Sequence, residues 1–168
     1  MFHRLCAPVM LASVVASGAA CTTSIDLARS VAVTDVLTGW HDFGLVNGEN
    51  KLVPSISFRL QNTGTDPLSG VEMLVAFWVD GADGESDSKL IIATREPIAP
   101  GASTNLLTVR SDVGATSLTP RAQMFNSSYW KDFTAKLVAK RAGKFVKLGE
   151  YRVDRRLLAA PAVESGTK

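Results

Sequence analysis

Cysteine and histidine are both scarce, at two each in 168 residues. Cys6 and His3 fall within the first twenty positions, which leaves Cys21 and His41 for all the rest. A disulfide needs two thiols and a structural zinc site about four Cys or His ligands. Beyond residue 20 the chain can therefore build neither an intramolecular disulfide nor a thiolate–imidazole zinc centre. No Gly-x-Ser-x-Gly elbow and no Gly-x-x-x-x-Gly-Lys loop occurs, so the chemistry those turns support has no signature here. A Ser–His–Asp triad would have to use His41, in Trp40-His41-Asp42-Phe43-Gly44. The adjacent Asp42 would point to the opposite face of an extended chain, and His41 is expected to be a loop residue. Charge of either sign is in small excess: the net is +2, which argues against a general nucleic-acid binder. Hydrophobic residues make up 46% and charged ones 20%, ordinary values for one globular domain. Long apolar runs are absent except at the start.

That one run is Leu5–Ala20, 16 uncharged residues after the basic Met1-Phe2-His3-Arg4 and ending in Ser17-Gly18-Ala19-Ala20. It is shorter than the ~20 residues a membrane-spanning helix needs and has the build of a secretory signal helix with a small-residue cleavage site. Cys21 comes next. Gly18-Ala19-Ala20-Cys21 resembles the lipobox of bacterial lipoproteins, with Gly18 where that family prefers Leu. The resemblance implies that Cys21 is acylated and becomes the first residue of the mature chain, anchoring it to a membrane. Thr22 rather than Asp follows, which by the same resemblance implies the outer membrane in a Gram-negative envelope. Removal of residues 1–20 takes away Arg4 and leaves a net charge of +1.

The mature chain is expected to divide into a lipidated Cys21 and tether over 21–30, a folded domain over 31–156 and a flexible tail over 157–168. Within the domain the hydrophobic period is that of strands. Val71, Met73, Val75, Phe77 and Val79 share one parity. Leu74, Ala76 and Trp78 make the other parity apolar too, as in a central strand. Ile56–Leu60 and Phe133–Ala139 alternate in the manner of half-buried strands, and Val31–Leu37, Lys89–Thr94, Thr104–Arg110 and Phe145–Arg152 complete about seven. Gly- and Pro-bearing clusters separate them, and no sustained helical stripe appears. This predicts an all-β, antiparallel β-sandwich. Ser57–Gly64 ending in Asn62-Thr63-Gly64, Val71–Asp80, and the Ile98-Ala99-Pro100-Gly101 corner resemble immunoglobulin-like modules of bacterial envelope proteins, among them the YcfL-like lipoprotein family. The resemblance implies an immunoglobulin-like fold and supplies no catalytic residue.

Three groups of side chains bear on function. Asp80, Asp83, Glu85 and Asp87 form an acidic run expected at a solvated hairpin tip, with calcium as the functional alternative. Residues 26–112 carry a net −6 and residues 113–168 a net +7. The basic excess, which includes Lys140 and Lys144, reads either as a solvated hairpin protected from edge pairing or as a face for a membrane or an anionic cell-wall polymer. Phe125, Tyr129, Trp130 and Phe133, with Trp40 and Trp78, are either core or the lining of a sugar or peptide groove, core being the better reading. No catalytic residue, metal site or cofactor is assigned. The expected function is a non-catalytic, lipid-anchored envelope binding or accessory protein, its partner an envelope protein or cell-wall polymer. The alternatives are a carbohydrate- or peptidoglycan-binding module using Tyr129 and Trp130, and a hydrolase whose paired carboxylates are set by space rather than sequence.

Overall fold

The computed structural model describes residues 25–159. The expected signal segment 1–20, the acylation site Cys21 and the tail from 160 onward lie outside the described residues. The described residues form eight strands: β1 (Val31–Val46), β2 (Glu49–Asn62), β3 (Glu72–Val79), β4 (Glu85–Ile92), β5 (Leu107–Arg110), β6 (Ala115–Ser117), β7 (Phe133–Arg141) and β8 (Lys144–Arg152). Two single helical turns accompany them: α1 (Leu27–Ser30) before β1, and α2 (Arg121–Met124) between β6 and β7. One antiparallel sheet has the order β1-β2-β5, with β6 also paired to β2; the other has the order β4-β3-β7-β8. These orders are those of A-B-E facing C′-C-F-G in an immunoglobulin-like sandwich.

Alternation explains the layers. Met73, Val75, Phe77, Ala135, Leu137 and Ala139 are fully buried and meet Leu52, Ile56, Phe58 and Leu60 of the opposing sheet. β3 is central, between β4 and β7, as its two apolar faces predict. At β1–β2 the sequence reading stopped short. Asn47 and Gly48 take φ of 53° and 83°, the left-handed pair that a two-residue hairpin turn requires. They fold 16- and 14-residue strands onto each other. His41 is thus a strand residue opposite Val53, not a loop residue. Pro54 fits within β2 because its nitrogen faces away from β1, on the side where β5 pairs only with 55–58 and β6 only with 50–52. Its cross-strand partner Trp40 also turns its backbone outward: Trp40 N–H donates to the Arg156 carbonyl, and the Trp40 carbonyl accepts from Leu158 N–H.

The folded unit also extends past both expected boundaries. Leu27 is buried and Asp26 caps α1 through the Ala28 N–H, so residues 25–30 belong to the domain rather than to a tether. Residues 156–158 form a strap along β1, so the tail does not begin at 157.

The Asn62-x-Gly64 and Pro100-Gly101 motifs form one latch. Asn62 is fully buried, and its Nδ2 donates to the carbonyls of Asp66 and Ile98, each at 2.8 Å. Its Oδ1 accepts from Gly64 N–H at 2.9 Å, and its carbonyl accepts from Gly101 N–H. Two loops are thereby tied to the end of β2.

Candidate functional site

The sheets part at the end where β3 finishes and β7 begins, with Val79 opposite Phe133. Facing that pair are β6 and the residues just before it. Between them lies a groove of about 440 Å³, floored by Met124 and Phe133 and bordered by Tyr129 and Trp130. Gly114 sets the wall: a Cβ there would lie 2.0 Å from the Leu52 carbonyl oxygen, so a side chain would push the 113–117 segment off β2. Thr116, Ser117, Ser127 and Lys131 add a few polar groups to an otherwise apolar lining, the composition of a small-ligand site. A second depression, of about 530 Å³, is built entirely from the 92–107 segment.

The aromatic residues divide between core and groove. Trp40 is fully buried and packs edge-on against Phe133 (5.4 Å between ring centroids) and Trp130 (4.4 Å). Phe125 stands edge-on to Trp130 at 4.8 Å. Trp130 is therefore held by two rings, Trp40 and Phe125, while still lining the groove, and its neighbour Tyr129 is 89% exposed. The indole nitrogens of Trp40 and Trp130 are buried without a protein acceptor. Trp78 sits elsewhere, on the outer face of the second sheet beneath the Lys136 ammonium at 3.8 Å.

The four residues considered together for binding do not form one site. Tyr129 and Trp130 border the groove. Lys140 and Lys144 lie at the far end of β7 and the start of β8, about 25 Å away at the strand rise of ~3.3 Å per residue. Alternation in β7 was legible; which end of that strand meets the groove depends on sheet topology. The groove wall at 113–117 was missed, since three residues of β6 are too few to show a period.

Most of the basic excess is paired. Lys140 meets Glu72 at 2.8 Å, Lys147 meets Glu150 at 2.6 Å, and Arg141 donates to the Ser69 carbonyl. Asp132, largely buried, accepts from both Arg152 and Arg155. Chiefly through the Arg155 hydrogen bonds, and against the opposing effect of burial, its carboxyl is held down to about 2. This cluster ties the segment before β7 to the strap.

The acidic run does not sit together at a tip: Glu85 and Asp87 are in β4. Asp87 accepts from Ser111 Oγ and Asp112 N–H, and Asp80 accepts from Thr134 Oγ1. Among the described residues no group of three acid, His or Cys side chains is arranged to hold a metal ion. His41 Nε2 lies 3.2 Å from Arg110 Nη1; a guanidinium has no acceptor, so this nitrogen accepts and the ring is neutral. Partial burial, then the Arg110 charge, lowers the His41 pKa, while Asp42 opposes them. Asp42 is turned away to Arg121, at 2.6 Å, and to Gly44 N–H. Those bonds lower its carboxyl pKa even though burial, the largest single influence, acts to raise it.

No family model matches the sequence, and no curated protein matches it either. Among solved structures, the X-ray structure of Northeast Structural Genomics Consortium target SoR45 is similar, at 14% identity and a TM-score of 0.41. The match covers 85% of this chain and 96% of that one. The fold assignment rests on the strand order and burial described above.

Proposed function

We propose that this chain is a non-catalytic, lipid-anchored binding module of the cell envelope, holding its ligand in the groove between β6 and the β3–β7 end. One observation carries the reading: the molecule has two poles. At one, Ile25 and Leu27 lie against Arg141, Lys144 and Val146, so the chain enters the fold beside the β7–β8 turn. At the other, the whole length of β3 away, lies the groove. An acyl group on Cys21 would be only four residues from Ile25, at most ~14 Å of chain, and would leave the groove facing away from the membrane. The signal segment and lipobox-like Gly18–Cys21 support the anchor, and Thr22 favours an outer membrane in a Gram-negative envelope.

A carbohydrate or peptidoglycan ligand is the second reading. It is favoured by the exposed Tyr129 ring beside Trp130, with the Ser and Thr hydroxyls of the same groove. Pull-down on insoluble peptidoglycan and polysaccharides, with Trp130→Ala and Tyr129→Ala as controls, separates the two. Retention that both variants lose supports the sugar reading. Retention that both variants keep removes the groove from the proposal. Absence of retention, with capture of an envelope protein that Trp130→Ala loses, supports a protein ligand.

A further inference from the structure

The outer face of the second sheet is apolar where a solvated face would be polar. Register places Ile92, Glu72, Lys140 and Phe145 in one row across β4-β3-β7-β8, and Leu90, Leu74, Val138 and Lys147 in the next. Leu90, Ile92 and Phe145 are 56%, 58% and 61% exposed. In these two rows the charged groups are Lys140, Lys147 and Glu72; Lys140 pairs with Glu72, and Lys147 pairs with Glu150 of the next row. Lys144 projects at the adjoining turn, and the Lys140 ammonium lies 6.0 Å from the Phe145 ring centroid. Large apolar side chains edged by lysines are the composition of a surface that lies in a bilayer interface, and with Lys140 and Lys147 each paired to a glutamate the positive surplus left at Lys144 complements anionic headgroups.

Position strengthens the argument. The two rows are the ones at the pole where the chain enters the fold, about 7 Å apart along the strands. The next row away from that pole, Ser88, Ala76, Lys136 and Glu150, has no large apolar residue. One row further Trp78 is apolar again, but the Lys136 ammonium lies over its ring, so the exposed large apolar side chains of this face are those at the entry pole.

We infer that this face, through Phe145, Ile92 and Leu90 with Lys140, Lys144 and Lys147, docks on an anionic lipid surface and fixes the orientation of the anchored domain. The inference rests on the anchored reading, and the test tells the two apart. The full-length protein is reconstituted with vesicles of phosphatidylglycerol or of phosphatidylcholine. Acetylation of each lysine is then followed by mass spectrometry, with Lys51 and Lys131 as references. Phosphatidylglycerol vesicles should protect Lys144 and Lys147 about fivefold or more relative to Lys131. High salt, phosphatidylcholine or the Ile92→Ser/Phe145→Ser variant should remove the protection. Partition into vesicles without that difference overturns the docking face and leaves the anchor standing. No partition at all overturns both. Protection without vesicles that grows with protein concentration assigns the face to a second copy and likewise overturns the proposal.

Discussion

Replacing Asn62 with alanine removes three hydrogen bonds from a fully buried site: two from Nδ2 to the carbonyls of Asp66 and Ile98, and one accepted from Gly64 N–H. Each such bond contributes about 0.5–1.5 kcal/mol net, and a buried group left without a partner costs about 1–3 kcal/mol. Two loops lose their tie to β2 together, so we expect Asn62→Ala to cost about 3 kcal/mol, or about 10 °C in Tm for a domain of this size. Asn62→Asp is the sharper test. It keeps the acceptor for Gly64 but turns a charged oxygen toward two carbonyls. At pH 7 it should therefore be less stable than Asn62→Ala. Acidification should recover part of the loss, as protonation restores one O–H donor. Urea unfolding of the three proteins at pH 7 and pH 4.5 measures this, with the midpoint moving and the slope unchanged. A loss below about 1 kcal/mol for Asn62→Ala, or no pH dependence of the Asn62→Asp deficit, would refute the latch.

Two further outcomes follow from other clusters. Asp132 is ionised at neutral pH with its folded carboxyl at about 2, below its ordinary 3.8. Its contribution is therefore fully present above the unfolded value and lost as pH falls through the folded one. With its arginine partners half exposed, we expect Asp132→Asn to cost about 1–2 kcal/mol at pH 7. About half of that difference should remain near pH 3 and little below pH 2; urea midpoints against pH will show it, and a difference constant with pH would contradict it. Gly114→Ala drives a Cβ into the Leu52 carbonyl and should cost about 3 kcal/mol. It should also weaken any ligand held in the groove, read by thermal unfolding and by the pull-down described above.

The sandwich was legible because its central elements advertise themselves. The uninterrupted β3 and the alternating β7 each carry a period long enough to read, and Ala142-Gly143 marks their hairpin partner. The Asn62-x-Gly64 and Pro100-Gly101 motifs were visible as corners, though not as parts of a single latch. The β1–β2 hairpin was underread: Asn47-Gly48 was the available signal, and missing it put His41 in a loop. The boundaries at 30 and 157 failed for a different reason. Small and polar composition resembles a linker until a neighbouring strand supplies partners, as β1 does for residues 156–158. The groove lay beyond sequence reasoning altogether. Its walls come from β3, β6 and the 124–133 segment, which meet only in the folded chain. The aromatic cluster offered core or groove, and the structure divides it: Trp40 and Phe133 inside, Tyr129 outside, Trp130 between them.

Anchoring is the central claim, and the chemistry at Cys21 tests it most directly. Intact-mass and peptide mass spectrometry of protein recovered from the membrane fraction should find the chain beginning at Cys21 with diacylglycerol on its sulfur. Cys21→Ser should move the protein to the soluble fraction. A chain that still begins at Met1, or a free Cys21 thiol on soluble protein, would contradict the account.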